Sequence, residues 1–390
     1  MSSLRILQIC FTKIVNSAGG AEKVFCNMSN YFAKQNTVVS VCCDSEEGRP
    51  FYYLNEEVDF INIGDGERLK VPFRVKLLNE IIRPFKKLGM GLEFPKEAYI
   101  REIIGNKLKA ILAVEKPDVV ICYELRSMVA IAECGFPLSK IVVMFHMDAA
   151  GILKSLSTKQ EKILRKVKYV QVLLESYKQL LVTKGYTNVV CIGNIVPQYN
   201  PVEFLGREKT IIHVGRLDKV QKRQHLLIES FAKISSKYPD WKVKFFGGDS
   251  RPQGYEDELR AIIAKNQLEN QVLLMGKSSE IESELRKASI FAFPSAYEGF
   301  PLSLTEAMSM GLPSVGFLNT PAVNELIRND INGFLCEESI EALADVLEKL
   351  MQNEKKRINH GKQAEKDMTR YSAEKIFSEW NKLLDYIVKE

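Results

Sequence analysis

The sequence predicts an α/β fold made of two Rossmann-like halves, each with a parallel sheet. Short apolar runs alternate with helical patterns along the chain, and this rhythm restarts near the middle. Strand and helix alternating at this spacing indicate βαβ units. The predicted strands are Leu4–Cys10, Val38–Cys43, Asp118–Tyr123, Ile141–Phe145, Lys209–Val214, Lys242–Phe246, Val272–Met275, Ile290–Phe293 and Ser314–Phe317. The clearest helical patterns between them cover about 20–34 and 225–237.

The joint between the halves is predicted near Asn194–Glu208, where the chain mixes Pro, Asn and Gly. A length of 390 residues fits two or three domains of roughly 150 residues each. We expect a first domain over residues 1–200 and a second over 201–372. A final helix is expected at about 373–390, and its apolar face must pack on another part of the protein. That face contains Ile376, Phe377, Trp380, Leu383, Leu384 and Ile387.

Composition excludes several classes of protein. Hydrophobic residues make up 46% and charged residues 26% of the chain, as in ordinary soluble globular proteins. No apolar run approaches the ~18 residues that a membrane-spanning helix needs, and MSSLRILQIC is too short and strand-like for a signal peptide. The eight cysteines lack C-x-x-C spacing, which predicts reduced, buried thiols rather than zinc ligands. We therefore expect a cytoplasmic protein.

The first candidate motif is Ser17-Ala18-Gly19-Gly20-Ala21-Glu22, between a predicted strand and a predicted helix. Paired glycines let the backbone approach a ligand, and the helix N-terminus offers N–H groups to an anion. The motif is not G-x-G-x-x-G, and only Asp44 lies near the place where a dinucleotide site needs an acidic residue. A tight turn and a binding loop both remain possible interpretations of this motif.

The second motif runs from Gly215 to Arg223, again between a strand and a helix. Arg216 and Lys222 can converge on one phosphate cluster, since arginine supplies a planar fork and lysine a point charge. The alternative is solvated surface charge. A position at the carboxyl end of a strand favours ligand binding, because open α/β sheets bind ligands there.

The third motif is the most informative and runs from Phe293 to Leu302, ahead of a predicted helix at Ser303–Met310. Its loop can point backbone N–H groups at a diphosphate, assisted by the dipole of that helix. Glu298 and Glu306, separated by seven residues, would flank the anion. Carboxylates beside a phosphate make chemical sense when they accept hydrogen bonds from sugar hydroxyls.

In this order the three motifs resemble the GT-B retaining glycosyltransferases of family 4, also called glycosyltransferase group 1. The resemblance covers essentially the whole chain. It implies two Rossmann-like domains that face an interdomain cleft, with the nucleotide-sugar held mainly by the C-terminal domain. It also implies that the C-terminal helix crosses back to the N-terminal domain.

Residue roles follow from the resemblance position by position. Arg216 and Lys222 would neutralise the donor diphosphate. Glu306 would bind ribose hydroxyls, Glu298 would hold hydroxyls of the transferred sugar, and His146 would lie near that sugar. The expected catalytic residues are His146, Glu298, Arg216 and Lys222. The expected nucleotide-sugar-binding residues are Gly19, Gly20, Gly215, Arg216, Lys222, Gly276, Glu298, Gly299, Phe300, Pro301, Leu302 and Glu306. The expected acceptor contacts are Tyr123, Arg126 and Asp148.

The resemblance implies transfer of a hexose or N-acetylhexosamine from a UDP-sugar, or a GDP-sugar, to a bacterial-type lipid-linked glycan. Such an acceptor would be lipopolysaccharide or a polyprenyl-diphosphate oligosaccharide. The chain has no D-x-D triplet, so we expect no metal and no other cofactor. The alternatives are a sugar-nucleotide epimerase or hydrolase with this fold, and a non-catalytic membrane or glycan adaptor.

The first half of the chain is basic, which favours an anionic partner. Residues 1–200 hold 27 Lys and Arg against 20 Asp and Glu. Residues 70–90 and 154–168 each carry six basic residues against one Glu, and 74–88 resembles a basic amphipathic helix interrupted at Pro84. We expect these two stretches to contact an anionic membrane at the inner face of the cell membrane, or a lipid-linked diphosphate; a solvated face is the alternative. Nucleic acid is not expected, because no recognised binding module is present.

Overall fold

The computed structural model describes residues 3–17, 19–64, 66, 70–88, 90–199, 202–249 and 254–389, with the backbone alone for residues 86 and 87. The chain divides into two compact units. The first comprises Met1–Gly193 with Phe377–Glu390, and the second comprises Asn194–Ile376. Each unit contains one parallel sheet, so the predicted α/β class is confirmed.

The first unit is built on a seven-stranded sheet. Its strands are β1 (Arg5–Cys10), β2 (Thr37–Cys42), β3 (Asp59–Asn62), β4 (Val119–Cys122), β5 (Ile141–Phe145), β6 (Tyr169–Val172) and β7 (Val189–Cys191). Their order is β3-β2-β1-β4-β5-β6-β7, and every neighbouring pair is parallel. The helices between them are α1 (Gly20–Phe32), α2 (Phe73–Lys87), α3 (Pro95–Glu115), α4 (Leu125–Glu133), α5 (Ala149–Ser155), α6 (Thr158–Leu164) and α7 (Glu175–Thr183).

The second unit repeats the plan on a six-stranded sheet. Its strands are β8 (Thr210–Val214), β9 (Lys242–Phe246), β10 (Val272–Gly276), β11 (Ile290–Phe293), β12 (Ser314–Phe317) and β13 (Gly333–Cys336). Their order is β10-β9-β8-β11-β12-β13, again with parallel pairs. Its helices are α8 (Gln224–Ile234), α9 (Tyr255–Lys265), α10 (Ile281–Lys287), α11 (Leu302–Ser309), α12 (Val323–Leu326), α13 (Ile340–Gln352) and α14 (Glu354–Met368).

The central strands of both sheets are mainly apolar because helices cover parallel sheets on both faces. Every residue of β4, β5 and β11 is buried. The strands predicted from such runs are all present, within a residue or two of their expected ends. The sequence did not predict β3, β6, β7 and β13, each of which has only three or four residues.

The C-terminal helix α15 (Ala373–Lys389) packs on the first unit from Phe377 onward, as predicted. Trp380 is only 1% exposed, and its ring lies edge-on to Phe32 of α1 with centroids 6.1 Å apart. Phe377 of α15 stacks on Tyr31 of α1. The apolar stripe on α15 therefore completes the core of a unit whose other residues precede it by almost two hundred positions.

Replacing Trp380 with Ala is expected to destabilise the first unit by about 3–5 kcal/mol, because it empties a fully buried aromatic site. Val388, which is 40% exposed on the same helix, is the matched position: Val388→Ala should change stability by less than about 0.5 kcal/mol. The measurement is the midpoint of thermal unfolding of each variant. Equal midpoints for the two variants would show that α15 is not part of this core.

Helix α2 corrects one prediction, because it continues through Pro84 to Lys87. Proline lacks an N–H, so the carbonyl of Glu80 loses its helical partner at this point. The loss falls in the last turn of the helix and at an exposed residue, where water can hydrate the carbonyl. The cost is therefore small enough for the helix to continue.

The second basic stretch, residues 154–168, is partly used inside the first unit. Lys159 pairs with Glu133, and Arg165 bonds Glu161 at 2.9 Å. The Lys168 ammonium lies 5.1 Å from the ring centre of Tyr386. These three cations already have partners within the first unit, which leaves residues 70–90 as the stronger candidate for an anionic partner.

Two further features of the described residues concern membrane spans and cysteines. None of their helices is both long enough and apolar enough to cross a bilayer. All eight cysteines are free thiols, and five of them are buried. Burial raises the pKa of the Cys26 and Cys42 thiols to about 12, so both are protonated at neutral pH.

Candidate active site

The loop between β8 and α8 carries Arg216 and Lys222 and is shaped by Asp218. Asp218 Oδ1 accepts hydrogen bonds from the backbone N–H groups of Val220 at 3.0 Å and Gln221 at 2.8 Å. The Arg216 side chain is 52% exposed. Its guanidinium contacts Asp218 at 3.4 Å and the side chain of Gln221. The result is a fixed turn with an accessible guanidinium.

Hydrogen bonds join the carboxyl ends of β8, β9 and β10 beside this loop. Gly247, at φ +143°, lies so close to the loop that a Cβ there would sit 2.0 Å from the carbonyl oxygen of Gly215. The Gly247 N–H donates to Gly276 at 2.8 Å, and the Leu217 N–H donates to Gly248 at 3.0 Å. Gly215 and Gly276, two of the predicted binding residues, therefore lie at one edge of the sheet. The sequence analysis did not identify Gly247 and Gly248, although a glycine pair directly after a strand is a usable signal.

Lys222 and Glu298 form the central contact of the site. Lys222 Nζ lies 2.6 Å from Glu298 Oε1, and the two side chains are only 12% and 8% exposed. The ammonium also lies 4.8 Å from the ring centre of Phe293. A cation and a carboxylate are therefore held in a fixed position with little solvent around them, where their charges act strongly on a bound ligand.

The loops that carry these two residues are joined by further hydrogen bonds. The Ala296 N–H donates to the carbonyl of Gln221 at 2.8 Å, and Gln221 Nε2 donates to the carbonyl of Tyr297 at 3.1 Å. Arg223 Nε donates to the carbonyl of Pro294 at 3.0 Å. The site thus brings the second and third motifs together. Gln221, which sequence reasoning missed, bonds both loops and also Arg216.

The third motif opens α11 as expected. No side chain caps this helix, which begins at Leu302 after Pro301, so its first N–H groups have no partner within the helix. Glu306 is half-buried and lies about one turn into the helix. Its charge also acts on Tyr199, whose pKa is raised to about 12 by burial and then by Glu306. Glu298 and Glu306 are therefore placed on either side of the uncapped helix start.

In the first unit, His146 follows β5 with its ring stacked on Tyr123, the centroids being 5.1 Å apart. Its Nε2 atom is buried and has no hydrogen-bond partner among the described residues. Burial lowers the pKa of His146 to about 4, so the imidazole is neutral at pH 7. Buried polar atoms without partners are rare in native proteins, and an unfilled ligand site is one place where they occur.

Two of the three predicted acceptor residues make hydrogen bonds inside the first unit. Tyr123 is 3% exposed, and its hydroxyl donates to Gln8 at 2.6 Å inside the unit. Asp148 caps α5, where its carboxylate accepts from the N–H groups of Ala150 at 3.3 Å and Gly151 at 2.8 Å. Contact of either side chain with an acceptor stays a prediction. Arg126, in the first turn of α4, is exposed.

In the glycine motif of the first unit, the Glu22 carboxylate lies against Gly19 and Ser17. Gly19 caps α1 and Gly20 begins it, but a Cβ on Gly19 would lie 2.2 Å from the Glu22 carboxylate. Ser17 Oγ donates to that carboxylate at 2.7 Å. A phosphate at this helix start would have to displace Glu22.

Asp44 is not available for a dinucleotide. One of its oxygens accepts from the N–H groups of Ile14 and Val15, both at 2.8 Å. It therefore orders the loop after β1. Within the described parts of the chain, no group of three or more His, Cys, Asp or Glu residues is arranged to hold a metal ion.

Two parallel-sheet α/β units and a C-terminal helix that returns to the first unit define the GT-B class of fold. Residues 196–367 match the family model described as Glycosyl transferases group 1. With the relatives below, this match identifies the protein as a glycosyltransferase.

Two curated relatives cover almost the whole chain. An uncharacterized glycosyltransferase of Haemophilus influenzae is 27% identical over 390 residues, spanning 96% of this chain and 98% of its own. The amylovoran biosynthesis glycosyltransferase AmsD of Erwinia amylovora is 23% identical over 384 residues, spanning 95% and 97%.

The fold also matches solved structures. HepE of Anabaena, in complex with UDP and glucose, matches with a TM-score of 0.69 at 18% identity, over 98% of this chain and 99% of that one. At this level of identity the likeness shows the fold.

Proposed function

We propose that the protein is a retaining, metal-independent glycosyltransferase of family 4 that moves a hexose or N-acetylhexosamine from a UDP-sugar to a lipid-linked glycan. The observation that carries this proposal is the fixed Lys222–Glu298 pair beside the accessible Arg216 guanidinium and the uncapped start of α11. Cations and free N–H groups suit a diphosphate, and the carboxylate suits sugar hydroxyls. The complex of HepE with UDP and glucose supports this choice of donor.

In this proposal the second unit binds the donor and stabilises its departing diphosphate. Arg216, Lys222 and the N–H groups at Leu302 would neutralise the charge that develops on the leaving phosphate, which is the term that usually dominates such catalysis. Glu298 would hold hydroxyls of the transferred sugar and Glu306 those of the ribose. Positively charged side chains would thereby supply the stabilisation that a divalent ion supplies in other sugar transferases.

The anomeric configuration of the sugar would be retained because the acceptor attacks the anomeric carbon on the same face from which the diphosphate departs. The bond from the anomeric carbon to the phosphate oxygen breaks, and a bond from that carbon to the acceptor oxygen forms through an oxocarbenium-like state. The acceptor proton moves to the leaving phosphate. His146, neutral and with an unpaired Nε2, would accept a hydrogen bond from a hydroxyl of the donor sugar.

The acceptor is proposed to be a bacterial-type glycan carried on a lipid, such as lipopolysaccharide or a polyprenyl-diphosphate oligosaccharide. AmsD, a relative along nearly the whole chain, acts in amylovoran biosynthesis. We place the reaction in the cytoplasm at the inner face of the membrane, with the first unit binding the acceptor. The basic residues of 70–90 support this placement, since anionic lipids attract such stretches.

The direct test is a thermal-shift panel of UDP, GDP, ADP and CMP with the full chain, each with Mg²⁺ and with EDTA. A ligand that binds only the native state stabilises it by about 2.7 kcal/mol at a hundredfold excess over Kd. We expect UDP to raise the unfolding midpoint most, and by the same amount in EDTA. A rise that depends on Mg²⁺ would contradict the metal-free site. No rise with any nucleotide would contradict donor binding and favour an adaptor, whereas UDP-sugar turnover without acceptor would indicate a hydrolase or epimerase.

A further inference from the structure

The first unit contains a cavity of about 990 Å³ that the donor residues do not line. Its wall consists of the loop after β1, the segment after β2, helix α2, the start of α3 and Arg126 of α4. The carboxyl ends of β1 and β2 meet at this edge, where open parallel sheets bind ligands. Of the three residues expected at the acceptor, Arg126 alone lines the cavity.

Cations dominate this cavity. Seven Lys and Arg side chains line it against three carboxylates. Two of the carboxylates are already engaged, because Asp44 bonds the backbone of the loop after β1 and Glu80 pairs with Arg83 at 2.7 Å. The third, Glu97, is half-buried, and one of its oxygens has no partner among the described residues.

Three of the cations have no carboxylate partner within the parts of the chain that the structure describes: Lys70, Lys76 and Lys96. All three are exposed. Arg126 is close enough to Glu124 for their charges to interact, so it contributes less to the net charge. An excess of unpaired ammonium groups around one cavity attracts a multiply charged anion.

The same wall is apolar along α2. Phe73 and Leu77 line the cavity and are 76% and 51% exposed. Ile81 and Phe85, 52% and 44% exposed, continue the series at four-residue intervals. Side chains at this spacing lie on one face of a helix. The helix therefore presents an uncovered apolar stripe that begins in the cavity and runs away from it along α2.

We propose that this cavity binds the phosphorylated head of the lipid-linked acceptor. This inference rests on the proposed transferase function. The phosphate groups would contact Lys70, Lys76 and Lys96, and the first part of the hydrocarbon chain would lie along the stripe that starts at Phe73 and Leu77. A soluble phosphorylated glycan would use the cations only and leave the stripe uncovered. The combination of charge and stripe favours the lipid-linked form.

The test uses farnesyl diphosphate as a short lipid diphosphate, with pyrophosphate and farnesol as its two halves. Each is titrated calorimetrically into the full chain saturated with UDP, so that the donor site is filled. We expect farnesyl diphosphate to bind at least about tenfold more tightly than either half, because only it contacts both cations and stripe. The variant Lys70→Gln/Lys76→Gln/Lys96→Gln should weaken it by about tenfold or more. Phe73→Ser/Leu77→Ser should reduce its affinity to that of pyrophosphate.

The matched control is Lys109→Gln/Lys140→Gln/Lys184→Gln, which removes the same charge from exposed positions outside the cavity wall. It should bind farnesyl diphosphate as the wild type does. Equal weakening in both triple variants, or equal affinity for farnesyl diphosphate and pyrophosphate in the wild type, would overturn the proposal. So would unchanged binding in the cavity variant, which would indicate general adsorption to the basic unit. UDP binding separates the two hypotheses: if UDP binds and the cavity prediction fails, the donor site stands and only this inference is wrong.

Discussion

Replacing Lys222 with Met is expected to lower the rate of sugar transfer by about 10²–10³-fold, the usual effect of removing one group that stabilises charge in a transition state. The same change leaves Glu298 almost buried without its ammonium partner. Removing one member of a buried pair costs up to about 3–5 kcal/mol of stability. Glu298→Gln should also lower both the transfer rate and the stability, because it leaves the Lys222 ammonium without its carboxylate partner.

The double variant Lys222→Met/Glu298→Gln separates the two effects. With neither charge present, stability should return most of the way to that of the wild type, while transfer stays low. Lys219→Met is the control, because its pair with Glu258 is exposed and such pairs contribute less than about 1 kcal/mol. Unfolding midpoints and initial transfer rates of the four variants provide the measurement. Recovery of transfer in the double variant would mean that the pair serves the fold alone.

Replacing Arg216 with Ala is expected to weaken UDP binding by about 10–100-fold, as loss of a charged hydrogen bond does. The side chain is 52% exposed, and its hydrogen bonds among the described residues are to Asp218 and Gln221 of its own loop, so the unliganded protein should unfold at the wild-type midpoint. Arg216→Lys should recover part of the affinity, since lysine keeps the charge and loses the planar fork. Calorimetric titration of UDP gives the affinities.

Arg260→Ala provides the comparison for Arg216, because Arg260 is equally exposed and pairs with Glu256 on its own helix. That variant should bind UDP normally. If Arg216→Ala does the same, the guanidinium does not contact the diphosphate, and the phosphate-binding role would pass to Lys222 and the α11 N-terminus.

Much of the fold could be predicted because buried parallel strands are mainly apolar. Runs such as those of β5 and β11 have no other common interpretation between helical patterns. The missed strands give weaker signals, because β3 and β6 include polar residues among only four and β7 has only three residues. β3 and β7 form the edges of their sheet. In such segments pairing with neighbours decides the structure, and a single sequence does not show that pairing.

The site was predictable to the extent that topology places strand ends at one edge of a sheet. This rule favoured a binding role for the loop after β8, and the family resemblance assigned the loops after β8 and β11 to one donor site. The hydrogen bond between Lys222 and Glu298, 76 residues apart, depends on side-chain packing that spacing does not encode. The capping role of Asp148 could have been read from the sequence, since an acidic residue directly before a helix often caps it.

The path of the chain through the first unit has a consequence for its biosynthesis. All of Asn194–Ile376 is synthesised between the two parts of that unit. At 5–20 residues per second, roughly 10–40 s pass before Phe377 and Trp380 follow. During that interval the surface around Phe32 is an unfilled hydrophobic groove on a nascent protein, so we expect the first unit to mature last although its synthesis begins first.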